Sequence, residues 1–138
     1  MKSIYFTLFL ITAISFSQSE VPNRYWLDDS SFEKTISGKS AFEDDIKETI
    51  VVEFWAKFNE ENCFSDWEEL KDVNYYRVDI SKAPNAKKKY RVRMAPTIII
   101  FKNGMKEKVF KAGLDLLLPV GLNEIQETIN EINNANKF

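Results

Sequence analysis

Histidine is absent from this 138-residue chain, and cysteine occurs once, as Cys63. The missing histidine excludes Ser–His and Cys–His catalytic pairs, histidine-bearing zinc motifs and any imidazole acid–base step. A single cysteine excludes a disulfide within these residues, and with it any redox cycle that needs two thiols of one chain. Glycine and proline are scarce at four each, so neither a collagen-like repeat nor a flexible linker is written here. Neither sign of charge dominates: 19 basic groups face 21 acidic ones, for a net charge of −2. That balance gives no global attraction to nucleic acid or to an anionic membrane surface. What is present is 44% hydrophobic and 14% aromatic content, the profile of one globular domain. A chain of this size buries roughly 65–70% of its unfolded surface and needs no metal or disulfide staple. No cofactor is indicated. The acidic cluster Glu60, Glu61, Asp66, Glu68 and Glu69 lacks the ligand spacing of a calcium loop. Gly38-Lys39-Ser40 resembles the end of a phosphate loop, but Glu33 stands where its first glycine is needed.

The N-terminus sets the expected compartment. Lys2 precedes an apolar run from Ile4 to Phe16 that ends in Ser15-Phe16-Ser17, a small-x-small cleavage pattern. The run is too short for the ~20 residues of a spanning helix, so residues 1–17 read as an export signal and 18–138 as one mature domain. A retained N-terminal anchor is the competing reading. No cysteine lies at the junction to accept a lipid, so no stable membrane insertion is expected after cleavage. A periplasm suits such a protein best, with secretion as the alternative. Export would place Cys63 in oxidising surroundings, where an odd cysteine is buried, reactive or paired with another chain.

Along the mature chain, strand and helix signals alternate. Arg24–Leu27 reads as a short strand, and Asp28-Asp29-Ser30 offers helix caps before Phe32 and Ile36. A polar helical stretch over 40–48 leads into Thr49–Trp55, a continuous apolar and β-branched run suited to a central strand buried on both faces. Residues 63–70 read as a helix with Phe64, Trp67 and Leu70 at spacing three, and Tyr75–Ile80 as a strand. Pro84 opens a short helix ending near Tyr90. Thr97–Phe101 and Met105–Phe110 flank Asn103-Gly104, the strongest short-range hairpin signal. Leu122, Ile125, Ile129 and Ile132 mark a C-terminal amphipathic helix. The order implies an α/β fold with a mixed sheet covered by helices on both faces.

Three blocks carry a family resemblance: Val51-Val52-Glu53-Phe54-Trp55-Ala56, Met94-Ala95-Pro96-Thr97, and Ile98–Gly104 ending in Lys-Asn-Gly. In that order they resemble the thioredoxin family over about residues 24–134, with further support from Pro84 to Tyr90 and from Gly113. The resemblance implies a thioredoxin-like fold, with a cis Ala95–Pro96 bond in the turn before the hairpin. It also implies a groove for extended polypeptide around Phe58, Ala95, Pro96 and Thr97. The departure lies in the redox motif. Where the family has Cys-x-x-Cys, this chain has asparagine at both cysteine positions, Asn59 and Asn62. An amide is neither nucleophile nor leaving group in disulfide exchange. A register shifted by one would set Glu60 and Cys63 at those positions, which still leaves no pair. By the same resemblance Glu53 falls where the family has a buried acid and Arg77 where a lysine partners it. A paired core charge is favoured there over a tuned carboxylate, because an unpaired buried charge costs several kcal/mol.

Cys63 is the remaining catalytic candidate. A first-turn helix position would favour its thiolate, while Glu60 and Glu61 would oppose it. Packing as a small hydrophobe is the competing reading. Lys87, Lys88, Lys89, Arg91 and Arg93 form a basic patch, read as a solvated face in preference to a site for an acidic partner. Leu114–Pro119 is unusually apolar for a loop and offers an oligomerisation surface. Three functional classes follow. The first is a redox-inactive module that binds a protein or unfolded peptide segment, as a monomer or weak homodimer, with Asn59 and Asn62 supplying hydrogen bonds. The second is a monothiol exchange enzyme, and the third is a structural subunit.

Overall fold

In the computed structural model, residues 21–37 and 49–135 are described. The export-signal reading of residues 1–17 and the helix expected over 40–48 lie outside them. Five strands form one sheet: β1 (Trp26–Leu27), β2 (Thr49–Trp55), β3 (Asn74–Asp79), β4 (Thr97–Lys102) and β5 (Met105–Lys111). Their order is β1-β3-β2-β4-β5. β1, β3 and β2 run parallel, whereas β4 is antiparallel to β2 and β5 to β4. Among the described residues, the α-helices α1 (Phe32–Ile36), α2 (Pro84–Lys89) and α3 (Leu122–Asn134) complete the mixed α/β architecture.

β2 sits at the centre because its residues can be buried on both sides. Alternation sends Ile50, Val52 and Phe54 to one face, where Phe32 and Ile36 of α1, Ala86 of α2, and Ile99 and Phe101 of β4 meet them. Val51 points the other way, with Ile98, Ile100, Trp67, and Ile125 and Ile129 of α3. Asn103 and Gly104 both take positive φ, 50° and 79°, as the tight primed turn between twisted strands requires. A bulge between Ile100 and Phe101 then shifts the pairing to β5, an edge strand whose residues are largely exposed.

Two local readings are corrected. Asn23–Tyr25 is a 3-10 turn closed by Tyr25 N–H donating to Pro22 O at 3.0 Å, so only Trp26–Leu27 is strand. Residues 63–70 do not form one helix: Cys63 and Phe64 are extended, and Ser65–Glu69 is a 3-10 helix. The cause is side-chain competition for the Phe64 backbone. Its N–H donates to Glu53 Oε2 at 3.0 Å and its carbonyl accepts from Arg77 at 3.2 Å, so neither group serves a helix. The spacing of three at Phe64, Trp67 and Leu70 matches the three-residue turn of a 3-10 helix. A further contact carries no local signal. Asp29 caps α2 from across the fold, accepting from Asn85 N–H at 3.0 Å and Ala86 N–H at 2.9 Å.

Candidate functional site

The segment after β2, Lys57–Asn62, winds as a 3-10 helix with a break at Asn59 (φ −125°, ψ 28°). This break turns Phe58 outward and Asn59 inward: Phe58 is 74% exposed and Asn59 only 7%. The Asn59 amide is fully engaged. Its Nδ2 donates to Ala95 O at 2.8 Å and to Leu116 O at 2.9 Å, while its Oδ1 accepts from Asn62 Nδ2 at 2.7 Å. One side chain thus ties the end of β2 to the turn before β4 and to the loop before α3. A cysteine could make neither bond to the two carbonyls with an amide's strength or reach. The expectation that Asn59 presents its hydrogen-bonding groups to a partner is therefore corrected, because both donors are used within the chain.

The Ala95–Pro96 peptide is cis. Ala95, Pro96 and Thr97 are buried, with Thr97 Oγ1 donating to Met94 O and Ala112 N–H to Pro96 O at 3.0 Å. Exposed apolar side chains lie beside the residues that Asn59 ties together: Phe58 precedes it, and in the loop before α3 Leu114 is fully exposed and Leu117 partly so. Leu118 packs into the core instead.

Behind the segment lies a buried polar cluster on the α3 side of the sheet. Glu53 Oε1 accepts from Tyr75 Oη–H at 2.7 Å and from Arg77 at 3.3 Å, and Arg77 Nε–H donates to Tyr75 Oη at 2.9 Å. Tyr75 stacks on Trp67 with ring centroids 5.3 Å apart, and the Arg77 guanidinium lies 5.7 Å from the Trp26 ring centroid. Burial pushes the Glu53 carboxyl up from its usual 4.5, opposed by Arg77, Tyr75 and the Phe64 N–H. For Arg77 burial works against the charge, but Glu53, Tyr75 and Cys63 together outweigh it and leave the guanidinium pKa raised from its usual value. Every buried polar side-chain atom among the described residues has a partner.

Cys63 is half-buried and unpaired. It does not occupy the first turn of a helix, so no dipole lowers its pKa. Burial, and then the Glu53 charge, push the thiol up from 9.0, with Arg77 opposing; Glu60 and Glu61 are exposed and are not among the causes. At pH 7 Cys63 is expected to alkylate more slowly than a free thiol, and the rate should climb only above about pH 9, since the thiolate is the nucleophile. Iodoacetamide kinetics across pH measure this. A rate at neutral pH matching a low-pKa thiol would overturn it.

Among the described residues, no group of three or more His, Cys, Asp or Glu side chains is placed to hold a metal ion, and no helix is long and apolar enough to cross a membrane. A search of curated protein sequences returned no match. The solved structure of a Malassezia sympodialis thioredoxin superposes with a TM-score of 0.57 at 19% identity, covering 77% of this chain and 89% of that one. A Schistosoma mansoni thioredoxin gives 0.57 at 21% identity, covering 77% and 92%. A designed protein gives 0.54 at 20% identity, covering 82% and 95%. The thioredoxin sequence model itself matches residues 29–117, spanning the β2 block, the Asn59–Asn62 segment and the Ala95-Pro96-Thr97 turn. On that match the chain belongs to the thioredoxin family.

Proposed function

We propose that this protein is an exported, redox-inactive binding module of the thioredoxin family, which holds a protein or unfolded peptide segment against Phe58 and the surface over the cis-proline turn. The observation that carries this reading is the arrangement at residues 58–62. Both cysteine positions of the family are amides, the inner one is consumed in holding three segments together, and the neighbouring aromatic is turned out to solvent. A large exposed aromatic on a rigid base is the kind of anchor that dominates binding energy at interfaces. The monothiol alternative has less support, because the Cys63 thiol is pushed up and its neighbour Phe64 is locked by Glu53 and Arg77. The module needs no cofactor and works as a monomer or weak homodimer in the periplasm or beyond.

The test is capture of a permanently unfolded, alkylated polypeptide by wild type, Phe58→Ala and Cys63→Ser, with circular dichroism confirming the fold of each. Loss of the aromatic anchor is expected to weaken capture by about thirtyfold, on the order of 2 kcal/mol. Cys63→Ser should bind as wild type does. Unchanged capture by folded Phe58→Ala overturns the binding surface, and catalysed disulfide exchange that vanishes in Cys63→Ser overturns the redox-inactive reading.

A further inference from the structure

Beside the cis-proline turn, a cavity of about 370 Å³ opens between the loop that follows α2 and strand β5. Its apolar wall includes Met94, Val109 and Leu114, the last two 37% and 100% exposed. Its charged groups are Arg91, Arg93 and Lys111, and no acidic residue lines it. The ion pairs found among the described residues are Arg77–Glu53 and Lys89–Glu33, so these three cations have none there. Three positive charges around an apolar hollow that no described acidic residue lines, in a chain of net charge −2, form a local field opposite to that of the whole molecule.

The backbone at Arg91 is a second, independent sign. α2 ends with Arg91 N–H donating to Lys88 O at 3.2 Å and Val92 N–H to Lys87 O at 2.9 Å. This is the pairing in which the residue after the helix adopts a left-handed conformation, ordinarily as glycine. Here that residue is arginine, at φ 54°. A side chain in this region is strained, and strained residues concentrate at functional sites. The strain has a counterpart in position: it places a guanidinium on the rim of the cavity.

We propose that this cavity recognises an extended peptide segment in which a carboxylate side chain stands beside an aliphatic one. The carboxylate is held by Arg91, Arg93 and Lys111, and the aliphatic group by Met94, Val109 and Leu114. The proposal rests on the binding-module reading and gives it a sequence preference. Arginine suits the role because its planar fork pairs with a carboxylate through two hydrogen bonds.

The experiment measures fluorescence anisotropy of two short fluorescein-labelled peptides, one alternating Asp with Leu and the other carrying Asn at every Asp. Wild type is expected to bind the acidic peptide more tightly, with an advantage that shrinks between ~0.05 and ~0.5 M salt. The triple variant Arg91→Gly/Arg93→Gln/Lys111→Gln should bind the acidic peptide about tenfold more weakly, as the sum of three rim-exposed pairs, and the amide peptide as wild type does. Arg91→Gly alone should weaken acidic-peptide binding while melting no lower than wild type, because glycine relaxes the left-handed position. Equal affinity for the two peptides overturns the acidic preference and leaves the binding reading standing. Failure of wild type to bind either peptide at low salt overturns both. A salt-sensitive dimer that dissociates in the triple variant overturns the peptide as occupant and assigns the cavity to the acidic surface of a second copy.

Discussion

Arg77→Ala is expected to remove about 3–5 kcal/mol of folding stability, a large fraction of the ~5–15 kcal/mol of a domain this size. The loss arises because the Glu53 carboxylate would remain buried with its cation gone, while Tyr75 Oη and Phe64 O each lose a donor. Arg77→Lys keeps a charge but cannot reach several acceptors from one planar group, so an intermediate loss is expected. Replacing both charges, as in Glu53→Leu/Arg77→Met, should recover most of the loss, since a buried pair is often matched by well-packed apolar residues. The pH dependence has a definite sign. Because burial raises the folded Glu53 pKa, its favourable contribution is complete below about 4.5 and is lost as pH rises through that raised value. Removing Arg77 pushes the carboxyl higher still, so the deficit of Arg77→Ala should be smallest near pH 4 and widen toward pH 7. Urea midpoints across pH test both points; a loss under about 1 kcal/mol at neutral pH would show that the cluster is not holding Phe64 in place.

Asn59→Cys/Asn62→Cys in a Cys63→Ser background is expected to act as a disulfide reductase. One thiolate would attack a substrate disulfide and expel a substrate thiol, and the second would attack the mixed disulfide to free the substrate, leaving an intramolecular disulfide that dithiothreitol reduces again. The gain carries a structural cost. Without the Asn59 amide, the Ala95 and Leu116 carbonyls lose their donor, at about 1–3 kcal/mol for each group left buried and unpaired. The variant should therefore reduce insulin while unfolding at lower urea than wild type. If it forms the disulfide yet shows no turnover, the surface has diverged beyond its two missing thiols. Turnover by wild type would refute redox inactivity directly.

The pairing of gain and loss shows which parts of this molecule are legible in its sequence. β2, the Asn103-Gly104 hairpin and α3 each announce themselves through a period or a turn requirement that local chemistry enforces. The Glu53–Arg77 pair is legible by resemblance, and its two residues do meet across adjacent strands. Residues 63–70 are misread as an α-helix because apolar spacing of three suits either kind of helix. The deciding bonds come from Glu53 and Arg77, ten and more residues away. Asn59 is the sharper case. Its identity reads as a loss of thiol, whereas its role as a clamp depends on carbonyls 36 and 57 positions later. Asp29, reaching α2 from 56 residues away, is equally silent in the sequence. Long-range polar contacts have no period, so pattern reading passes over them.

The placement of β4 bears on how the protein stays dispersed. Thr97–Phe101 is an uncharged run of β-branched residues and phenylalanine without proline or glycine, the composition that stacks into cross-β fibrils when left uncovered. In the native sheet this run is buried on both faces and paired along both edges, by β2 on one side and β5 on the other. β5 in turn presents Lys106, Glu107, Lys108 and Lys111 along the rim, and its bulge breaks the flat ladder that another chain would need as a template. The β5 side of the hairpin is thus the cover over one edge of an adhesive segment, and colloidal safety depends on how soon the Asn103-Gly104 turn closes.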